Sequence, residues 1–201
     1  MPVTPMPVID AIVLAAGAST RFGSDKRLAL IEGEPMLQCT LAKLVPVVRQ
    51  VTVVLKAEDS SHLPALLGDW QIHPAVKYLL LSEPDQGMGS NLARAVMNLP
   101  ADSAGVMVAL GDMPYIQLET LQALTAAFQP GKIIFPLYAG KHGHPVLFAC
   151  SHYVCLAALS GHAGARSVLE AGYADWIPVR VQDSGVIRDI DRTEDVHQHA
   201  Q

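Results

Sequence analysis

The sequence contains, at residues 14–26, the stretch Leu14-Ala-Ala-Gly-Ala-Ser-Thr-Arg-Phe-Gly-Ser-Asp-Lys26, which says more about this protein than any other part of the chain. It follows the apolar run ending at Ile12-Val13-Leu14, which is typical of a buried first strand. Small residues after such a strand let backbone N–H groups approach an anion closely, because Ala and Gly add no bulk. Arg21 and Lys26 add two cations, which suits a triphosphate. The alternative is a glycine-containing turn with two solvated cations.

Two common phosphate-binding motifs do not fit this loop. The P-loop has four residues between its first glycine and a Gly-Lys-Ser/Thr triplet. Here five residues separate Gly17 from Gly23, and Lys26 comes three positions later. The dinucleotide fingerprint G-x-G-x-x-G is also absent, because Ala18 and Ser19 follow Gly17. A flavin or nicotinamide oxidoreductase is therefore disfavoured.

The composition predicts one packed domain. The chain has 201 residues, of which 50% are hydrophobic and 16% are charged. Its net charge of -5 gives no reason to expect a nucleic-acid surface, which requires a basic face. An anionic substrate must therefore be held by a few local cations and a metal ion.

Three further features predict a cytoplasmic protein without a membrane partner. No apolar run approaches the roughly 20 residues that span a bilayer. The start, Met1 to Pro7, lacks the cationic region of a secretory signal. Cys39, Cys150 and Cys155 are odd in number and lack C-x-x-C spacing, which favours reduced, structural thiols. We expect residues 1–7 and 197–201 to be flexible ends.

Strand-like and helix-like segments alternate along the chain. Apolar runs that are typical of strands occur at 51–55, 76–81, 105–110, 132–135, 145–148 and 176–179, and helical patterns at 35–44, 91–97 and 118–128. This alternation predicts a three-layer α/β/α, Rossmann-like single domain over residues 1–201, with a mostly parallel sheet. In such sheets ligands bind outside the carboxyl ends of the strands. The loop from Ala15 to Lys26 leaves that edge.

Two other segments should leave the same edge. In Leu110-Gly-Asp-Met-Pro114, Asp112 directly follows a buried strand and is suited to binding Mg²⁺ through its oxygens, or to capping a helix that begins near Pro114. In the segment 83–92, Gly87 and Gly89 permit close approach, and Ser90 either caps the following helix or hydrogen-bonds a nucleobase.

The first loop resembles, position for position, the L-A-A/G-G-x-S-x-R-x-G-x-x-K signature of the MobA/MocA-like nucleotidyltransferases, which complete the molybdenum cofactor. Residues 110–114 resemble the metal-binding motif of that family, and residues 87–92 resemble an element beside its nucleotide base, with Asn91 where many members have serine. The resemblance implies the following nucleotide-binding residues: Leu14, Ala15, Ala16, Gly17, Ser19, Arg21, Lys26, Gly87, Ser90 and Asp112. Of these, Arg21, Lys26 and Asp112 would be catalytic.

The later motifs imply a second metal ligand and an acceptor site. Residues 188–196 resemble the family motif D-I-D-T-P-E-D-L, in which the second aspartate binds a metal ion. The resemblance therefore implies that Asp191 is a metal ligand together with Asp112. The alternative is that Asp189 and Asp191 interact with a helix N-terminus. Residues 140–148 resemble the G-x-x-G-H-P-V-L-F motif of the MocA-like branch, which borders the second substrate. Residues 161–166 resemble G-D-x-G-A-R, with His162 in place of the acidic residue. The implied acceptor-binding residues are His144, Pro145 and Arg166.

Two of these acceptor residues have alternative roles. His144 is an acid/base or, as we favour, a positioning or structural residue, because attack by a phosphate oxygen needs no strong base. Arg166 binds an anion or is a surface cation.

Together the motifs imply Mg²⁺-dependent transfer of a nucleoside monophosphate to a phosphate acceptor. The Ala15-Ala16-Gly17 form of the loop and the MocA-like motif favour CTP as donor and a molybdopterin-type acceptor carrying molybdenum. A recipient molybdoenzyme or its chaperone is the expected protein partner. The alternatives are a sugar-1-phosphate nucleotidyltransferase and a non-catalytic accessory protein that hands over the cofactor.

Overall fold

Strands and helices alternate along the chain as the sequence predicts. The computed structural model describes residues 7–17, 22–82 and 87–197. The strands in this part of the chain are β1 Ile9–Leu14, β2 Leu30–Ile31, β3 Glu34–Pro35, β4 Val51–Lys56, β5 Val76–Leu81, β6 Gly105–Leu110, β7 Ile133–Tyr138, β8 Lys141–His142, β9 Val146–Ala149 and β10 Trp176–Arg180. The helices are α1 Met36–Leu44, α2 Leu63–Leu67, α3 Met88–Val96, α4 Leu118–Ala126, α5 Tyr153–Ala157, α6 Ala165–Ala171 and α7 Thr193–His197.

The main sheet has the strand order β10-β7-β9-β6-β1-β4-β5, and β8 pairs with β7. β1 runs parallel to β4 and β6, β4 to β5, and β7 to β10, whereas β9 runs antiparallel between β6 and β7. The predicted mostly parallel sheet is therefore confirmed. From β1 the chain continues through β4 and β5 on one side and through β6 on the other. The carboxyl end of β1 is thus a topological switch point, where open α/β sheets bind their ligands.

Two apolar clusters cover the two faces of this sheet and confirm the three layers. Along β1, Ile12 contributes to one cluster, while Ala11 and Val13 contribute to the other, as the alternation of side chains in a strand requires. Helices α1, α2 and α4 pack on the face of Ala11 and Val13, and helices α3, α5 and α6 pack on the face of Ile12. Because the central strands are covered on both faces, their sequences are apolar almost throughout.

A buried ion pair closes the amino-terminal edge of the sheet. Asp10 is fully buried in β1, and both its carboxylate oxygens accept hydrogen bonds from Arg49, at 3.0 and 2.7 Å. The remaining nitrogen of Arg49 holds Asp102, which precedes β6. These hydrogen bonds of Arg49 lie at the edge of the sheet opposite to the loop that follows β1. They therefore stabilise a part of the sheet that is distant from the predicted site.

One helix start differs from the sequence-based expectation. α3 begins at Met88 and not at Asn91, because Gly87 adopts a φ of 95° and forms its N-cap. α4 starts at Leu118, as the helical pattern at 118–128 predicts; among the described residues no helix begins near Pro114, so the alternative that Asp112 caps such a helix is wrong. None of the helices in the described ranges is long and apolar enough to cross a membrane. Cys39 is partly buried, whereas Cys150 and Cys155 are exposed, and all three thiols are free.

Asp183 connects the carboxy-terminal segment to the start of α4. One of its oxygens accepts hydrogen bonds from the Gln117 N–H and the Thr120 hydroxyl, both at 2.8 Å, and the other accepts from the Gly185 N–H at 2.8 Å. Asp183 is only 2% exposed. Gly185 lies so close to Tyr115 that an added Cβ would be 2.4 Å from the Tyr115 carbonyl oxygen. These contacts bring residues 188–191 back to the carboxyl edge of the sheet.

We therefore expect the substitution Asp183→Ala to lower the free energy of unfolding by about 3 kcal/mol, because it leaves three donors, two of them buried, without an acceptor. Asp175→Ala is the matched control: its ion pair with Lys132 is partly exposed, at 3.2 Å, and its loss should cost less than about 1 kcal/mol. Urea denaturation followed by circular dichroism measures both values. Equal effects of the two substitutions would contradict the anchoring role of Asp183.

Candidate active site

Three charged side chains from distant parts of the chain meet at the carboxyl edge of the sheet. The Lys26 Nζ donates hydrogen bonds to Asp112 Oδ2 at 2.6 Å and to Asp191 Oδ1 at 3.1 Å. It also donates to the carbonyl oxygen of Ile190 at 3.1 Å. Lys26 follows the first loop, Asp112 follows β6, and Asp191 precedes α7, so the structure brings together the predicted cation and both predicted metal ligands.

The electrostatics of this group favour the charged form of Lys26. Burial opposes the charge on Lys26, but hydrogen bonds and charge interactions with Asp112 and Asp191 outweigh it, so the pKa of the ammonium lies above its usual value. Asp112 Oδ1 is buried and has no hydrogen-bond partner among the described residues. A buried carboxylate oxygen of this kind is a ligand that Mg²⁺ or Mn²⁺ accepts.

The two carboxylates fit a metal ion whose remaining ligands come from a substrate and from water. Within residues 7–17, 22–82 and 87–197 no group of three or more His, Cys, Asp or Glu side chains is arranged to hold a metal ion. Mg²⁺ commonly takes one or two carboxylates together with phosphate oxygens and water. Asp112 and Asp191 therefore fit a cation that is bound jointly with a phosphorylated substrate.

Backbone contacts fix the positions of the two carboxylates. The Gly111 N–H donates to the Leu14 carbonyl at 3.0 Å, and a Cβ at Gly111 would lie 3.1 Å from that of Ala15. The end of β6 is thus held against the start of the first loop. The Ile190 N–H donates to the Asp112 carbonyl at 2.9 Å, which places Asp191 beside Asp112. Asp195, in the first turn of α7, accepts hydrogen bonds from the Asp191 and Arg192 N–H groups, so the main chain at Asp191 is fixed at the start of this helix.

The sequence analysis missed Arg27, which is buried directly beside Lys26. Its five N–H donors all make hydrogen bonds: two to Asp25, two to Asp59 and one, at 3.0 Å, to the Ala15 carbonyl. Burial opposes its charge, but the hydrogen bonds to Asp25 and Asp59 raise the pKa of the guanidinium above its already high value. Arg27 therefore joins both ends of the first loop to Asp59, which follows β4.

The first loop is only partly within the described residues. Ala15 and Ala16 are buried, Leu14 is partly buried and Gly17 is exposed, while Ser19 and Arg21 lie outside the described residues. The Ala15 N–H donates to the Val54 carbonyl at 3.0 Å. The start of the loop is therefore fixed between β4 and β6, and the roles of Ser19 and Arg21 stay predictions.

The glycine-rich start of α3 contacts the segment that precedes α6. The Gly89 N–H donates to the Gly161 carbonyl at 2.9 Å, and the Gly161 N–H donates to the Ser90 hydroxyl oxygen at 3.0 Å. A Cβ at Gly89 would lie 2.2 Å from the Ala163 carbonyl oxygen, so this approach requires glycine. Ser90 lies in the first turn of α3 and does not cap it, since Gly87 is the N-cap; its nucleobase contact stays a prediction.

Of the predicted acceptor residues, His144 lies near the carboxylates of Asp112 and Asp189, whereas Arg166 pairs with Glu170. The His144 Nδ1 is buried without a hydrogen-bond partner among the described residues, and burial lowers the pKa of its imidazole against the opposing charges of Asp112 and Asp189. Pro145 follows through a cis peptide bond and is buried. Arg166 is exposed on α6 and pairs with Glu170 at 2.8 Å, as expected of a surface cation.

Comparison with known proteins identifies the family. The profile described as "MobA-like NTP transferase domain" matches residues 11–176. The chain belongs to this family. It contains both the first loop and Asp112 within the matched part, so the protein is a nucleotidyltransferase whose family binds nucleoside triphosphates and uses divalent metals.

Two curated relatives illustrate the range of the family. The chain is 26% identical over 200 residues to "Purine catabolism protein PucB" of Bacillus subtilis (strain 168), a match that covers 94% of both chains. It is 31% identical over 126 residues to "Probable molybdenum cofactor guanylyltransferase" of Haloferax mediterranei, where the match covers 62% of this chain and 57% of that protein.

A solved structure has the same fold. Rv0371c from Mycobacterium tuberculosis H37Rv superposes with a TM-score of 0.81 at 24% identity, covering 94% of this chain and 96% of that chain. A second structure of Rv0371c, described as a complex with manganese, gives a TM-score of 0.76 at 23% identity and covers 94% and 95% of the two chains. The Rossmann-like nucleotidyltransferase fold therefore extends over nearly the whole chain.

We expect Arg27→Lys to lower both stability and catalytic efficiency. Lysine has three donors where arginine makes five hydrogen bonds, so buried carboxylate oxygens lose partners and the free energy of unfolding should fall by about 3 kcal/mol. Because the first loop loses an anchor, kcat/KM for the nucleotide should fall by roughly tenfold to a hundredfold. Denaturation and pyrophosphate-release kinetics measure the two effects.

Arg49→Lys is the matched control for this prediction. Arg49 also forms a double fork with two aspartates, but at the opposite edge of the sheet. Its replacement should reduce stability and leave kcat/KM at low temperature close to that of the wild type. A similar loss of kcat/KM in both variants would assign the effect of Arg27 to general destabilisation and contradict its role in the loop.

Proposed function

We propose that the protein transfers CMP from CTP to the terminal phosphate of a molybdenum-carrying molybdopterin, with Mg²⁺ as the cofactor and pyrophosphate as the second product. The observation that carries this proposal is the meeting of Lys26, Asp112 and Asp191 at the switch point beside β1. A nucleoside triphosphate brings four negative charges to this edge, and a cation held by two carboxylates beside a lysine is the arrangement that binds them.

The reaction is an in-line displacement at the α-phosphorus. A phosphate oxygen of the acceptor forms the new P–O bond, the bond from the α-phosphorus to the bridging oxygen breaks, and its electron pair leaves with pyrophosphate. The backbone of residues 15–17, together with Arg21 and Lys26, would bind the β- and γ-phosphates and stabilise the leaving charge. Asp112 and Asp191 would hold Mg²⁺, which when bound neutralises charge on the α-phosphate and orients the attacking oxygen.

The acceptor would approach from the side of β8 and β9. His144 lies there, close enough to Asp112 for their charges to interact. The attacking phosphate oxygen is already ionised at neutral pH and requires no base, so we assign His144 and Pro145 to positioning of the acceptor. The exposed Arg166 would bind an outer anionic group of the same acceptor after leaving Glu170.

The choice of nucleotide and acceptor is supported by sequence features and by the relatives. The Ala15-Ala16-Gly17 sequence and the Gly-His-Pro-Val motif at 143–146 favour CTP. One relative is named as a molybdenum cofactor guanylyltransferase, which supports a molybdopterin-type acceptor. A relative that matches 94% of the chain is named for purine catabolism, and we propose that a recipient molybdoenzyme takes up the product in the cytoplasm directly or through its chaperone. We also propose that residues 1–201 act as a single domain.

Nucleotide specificity is tested by measuring pyrophosphate release with CTP, GTP, ATP and UTP in the presence of molybdenum-loaded molybdopterin and Mg²⁺. We expect kcat/KM for CTP to exceed the values for the other three by at least about tenfold, and mass spectrometry to detect the cytosine dinucleotide product. A preference for GTP would overturn the choice of nucleotide. Turnover with a hexose 1-phosphate in place of the pterin would overturn the choice of acceptor.

The metal assignment predicts that Asp112→Asn abolishes most turnover without unfolding the protein. Replacing a metal-binding carboxylate with an amide should reduce kcat by roughly a thousandfold. The melting temperature measures whether the fold is retained. Asp175→Asn, which alters an exposed carboxylate outside the site, should retain normal turnover. Normal turnover in the Asp112 variant would remove this residue from the catalytic machinery.

A further inference from the structure

The ammonium of Lys26 occupies the position between the two carboxylates where the divalent cation of the proposed function would bind. An ammonium has three donors, and those of Lys26 have three acceptors: Asp112 Oδ2 at 2.6 Å, Asp191 Oδ1 at 3.1 Å and the Ile190 carbonyl at 3.1 Å. The lysine side chain is 15% exposed. Lys26 is therefore fully hydrogen-bonded in this position.

We infer that Lys26 keeps the carboxylate pair closed to divalent cations until a triphosphate draws its side chain away. The inference rests on the proposed function for the identity of that anion. Lys26 thus has two positions: between Asp112 and Asp191 in the free protein, and on the phosphates in the complex. The metal then enters together with the nucleotide and does not bind beforehand.

Charge repulsion makes the two cations exclude each other. An ammonium and a dication within the same few ångströms repel strongly in a partly buried site. If the metal entered first, Lys26 would lose two charged partners while remaining largely buried, which is costly for an ionised group. A triphosphate removes this cost, because its oxygens give Lys26 new acceptors at the moment when the metal replaces it.

The surrounding backbone allows this exchange without a change of fold. Lys26 begins the 3₁₀ turn Lys26–Leu28, whose N-cap Asp25 is held by Arg27. The Lys26 carbonyl accepts from the Ala29 N–H at 3.0 Å. The main chain is thus fixed on both sides of Lys26, and rotation of the flexible lysine side chain is sufficient to open the carboxylate pair.

The alternative is that Lys26 forms a permanent structural ion pair with Asp112 and Asp191. Binding of Mn²⁺ to the purified protein distinguishes this ion pair from the exchange that we infer. The free Mn²⁺ signal in electron paramagnetic resonance measures binding without turnover; CTP is added without acceptor, and the Mn²⁺ that CTP binds by itself is subtracted with a protein-free titration at the same CTP concentration. We expect Lys26→Met to bind Mn²⁺ in the absence of CTP at least about tenfold more tightly than the wild type, since the competing charge is gone. The wild type should approach that affinity only when CTP is present.

Two further variants make this result specific. Lys77→Met removes an exposed lysine of β5 and should leave Mn²⁺ binding as in the wild type. Adding Asp112→Asn to Lys26→Met should abolish the gain in Mn²⁺ affinity that Lys26→Met shows without CTP. Mn²⁺ should also raise the melting temperature of Lys26→Met more than that of the wild type, because it binds the folded state more tightly.

The inference is overturned if Lys26→Met gains no affinity for Mn²⁺ in the absence of CTP, or if the wild type binds Mn²⁺ equally tightly with and without CTP. Failure of the proposed function gives a different result: no product from CTP and the pterin, whatever the Mn²⁺ affinities are. If the wild type makes the cytosine dinucleotide but Lys26→Met shows no gain in Mn²⁺ affinity, the proposed function stands and only this inference is wrong.

Discussion

The buried guanidinium of Arg27 is the interaction on which the geometry of this site depends. It holds the Ala15 carbonyl, where the first loop leaves β1, and Asp25, where the loop ends. Through Asp59 it also connects the loop to the end of β4. The small residues Ala15 and Ala16 at the start of the loop offer little side chain for packing, so contacts at the two ends of the loop fix its position. A planar group with five donors in fixed directions does this better than a flexible ammonium.

The cluster of Lys26, Asp112 and Asp191 is itself built from long-range contacts. Lys26 is separated from Asp112 by 86 positions and from Asp191 by 165. Asp191 reaches the site because Asp183 anchors the carboxy-terminal segment to α4, and because the neighbouring Ile190 is buried in a small cluster with Phe22, Ile31 and Met36. This cluster therefore requires the sheet and its terminal segment to be in place.

Sequence patterns were sufficient for features that depend on local chemistry. Strands covered on both faces are apolar throughout, so β4 and β6 could be recognised from their composition alone. The positions of Lys26 and Asp112 followed from strand ends meeting at one edge. Asp191 required the family resemblance, because nothing in a polar terminal segment indicates which strand end it reaches.

Other features depend on contacts that no local pattern contains. Arg27 looks like one more loop cation, because Asp59 lies 32 positions away in sequence. The start of α4 at Leu118 agrees with the sequence pattern, but the buried acceptor that holds it, Asp183, comes from a segment 66 positions later and is indicated by no local pattern. Ser90 is a suitable capping residue by type, but the helix begins earlier, at a glycine whose left-handed conformation allows the chain to turn there.

The backbone contact between Gly89 and residues 161–163 has a consequence for how such enzymes diversify. Here the segment expected beside the nucleotide base and the segment that precedes Arg166 touch main chain to main chain at Gly89, where no side chain separates them to absorb a change in size. Neither can be lengthened, nor Gly89 exchanged for a larger residue, without displacing the other. Donor range and acceptor range would therefore evolve as one trait, and hybrids between family members should retain turnover only when both segments come from the same parent.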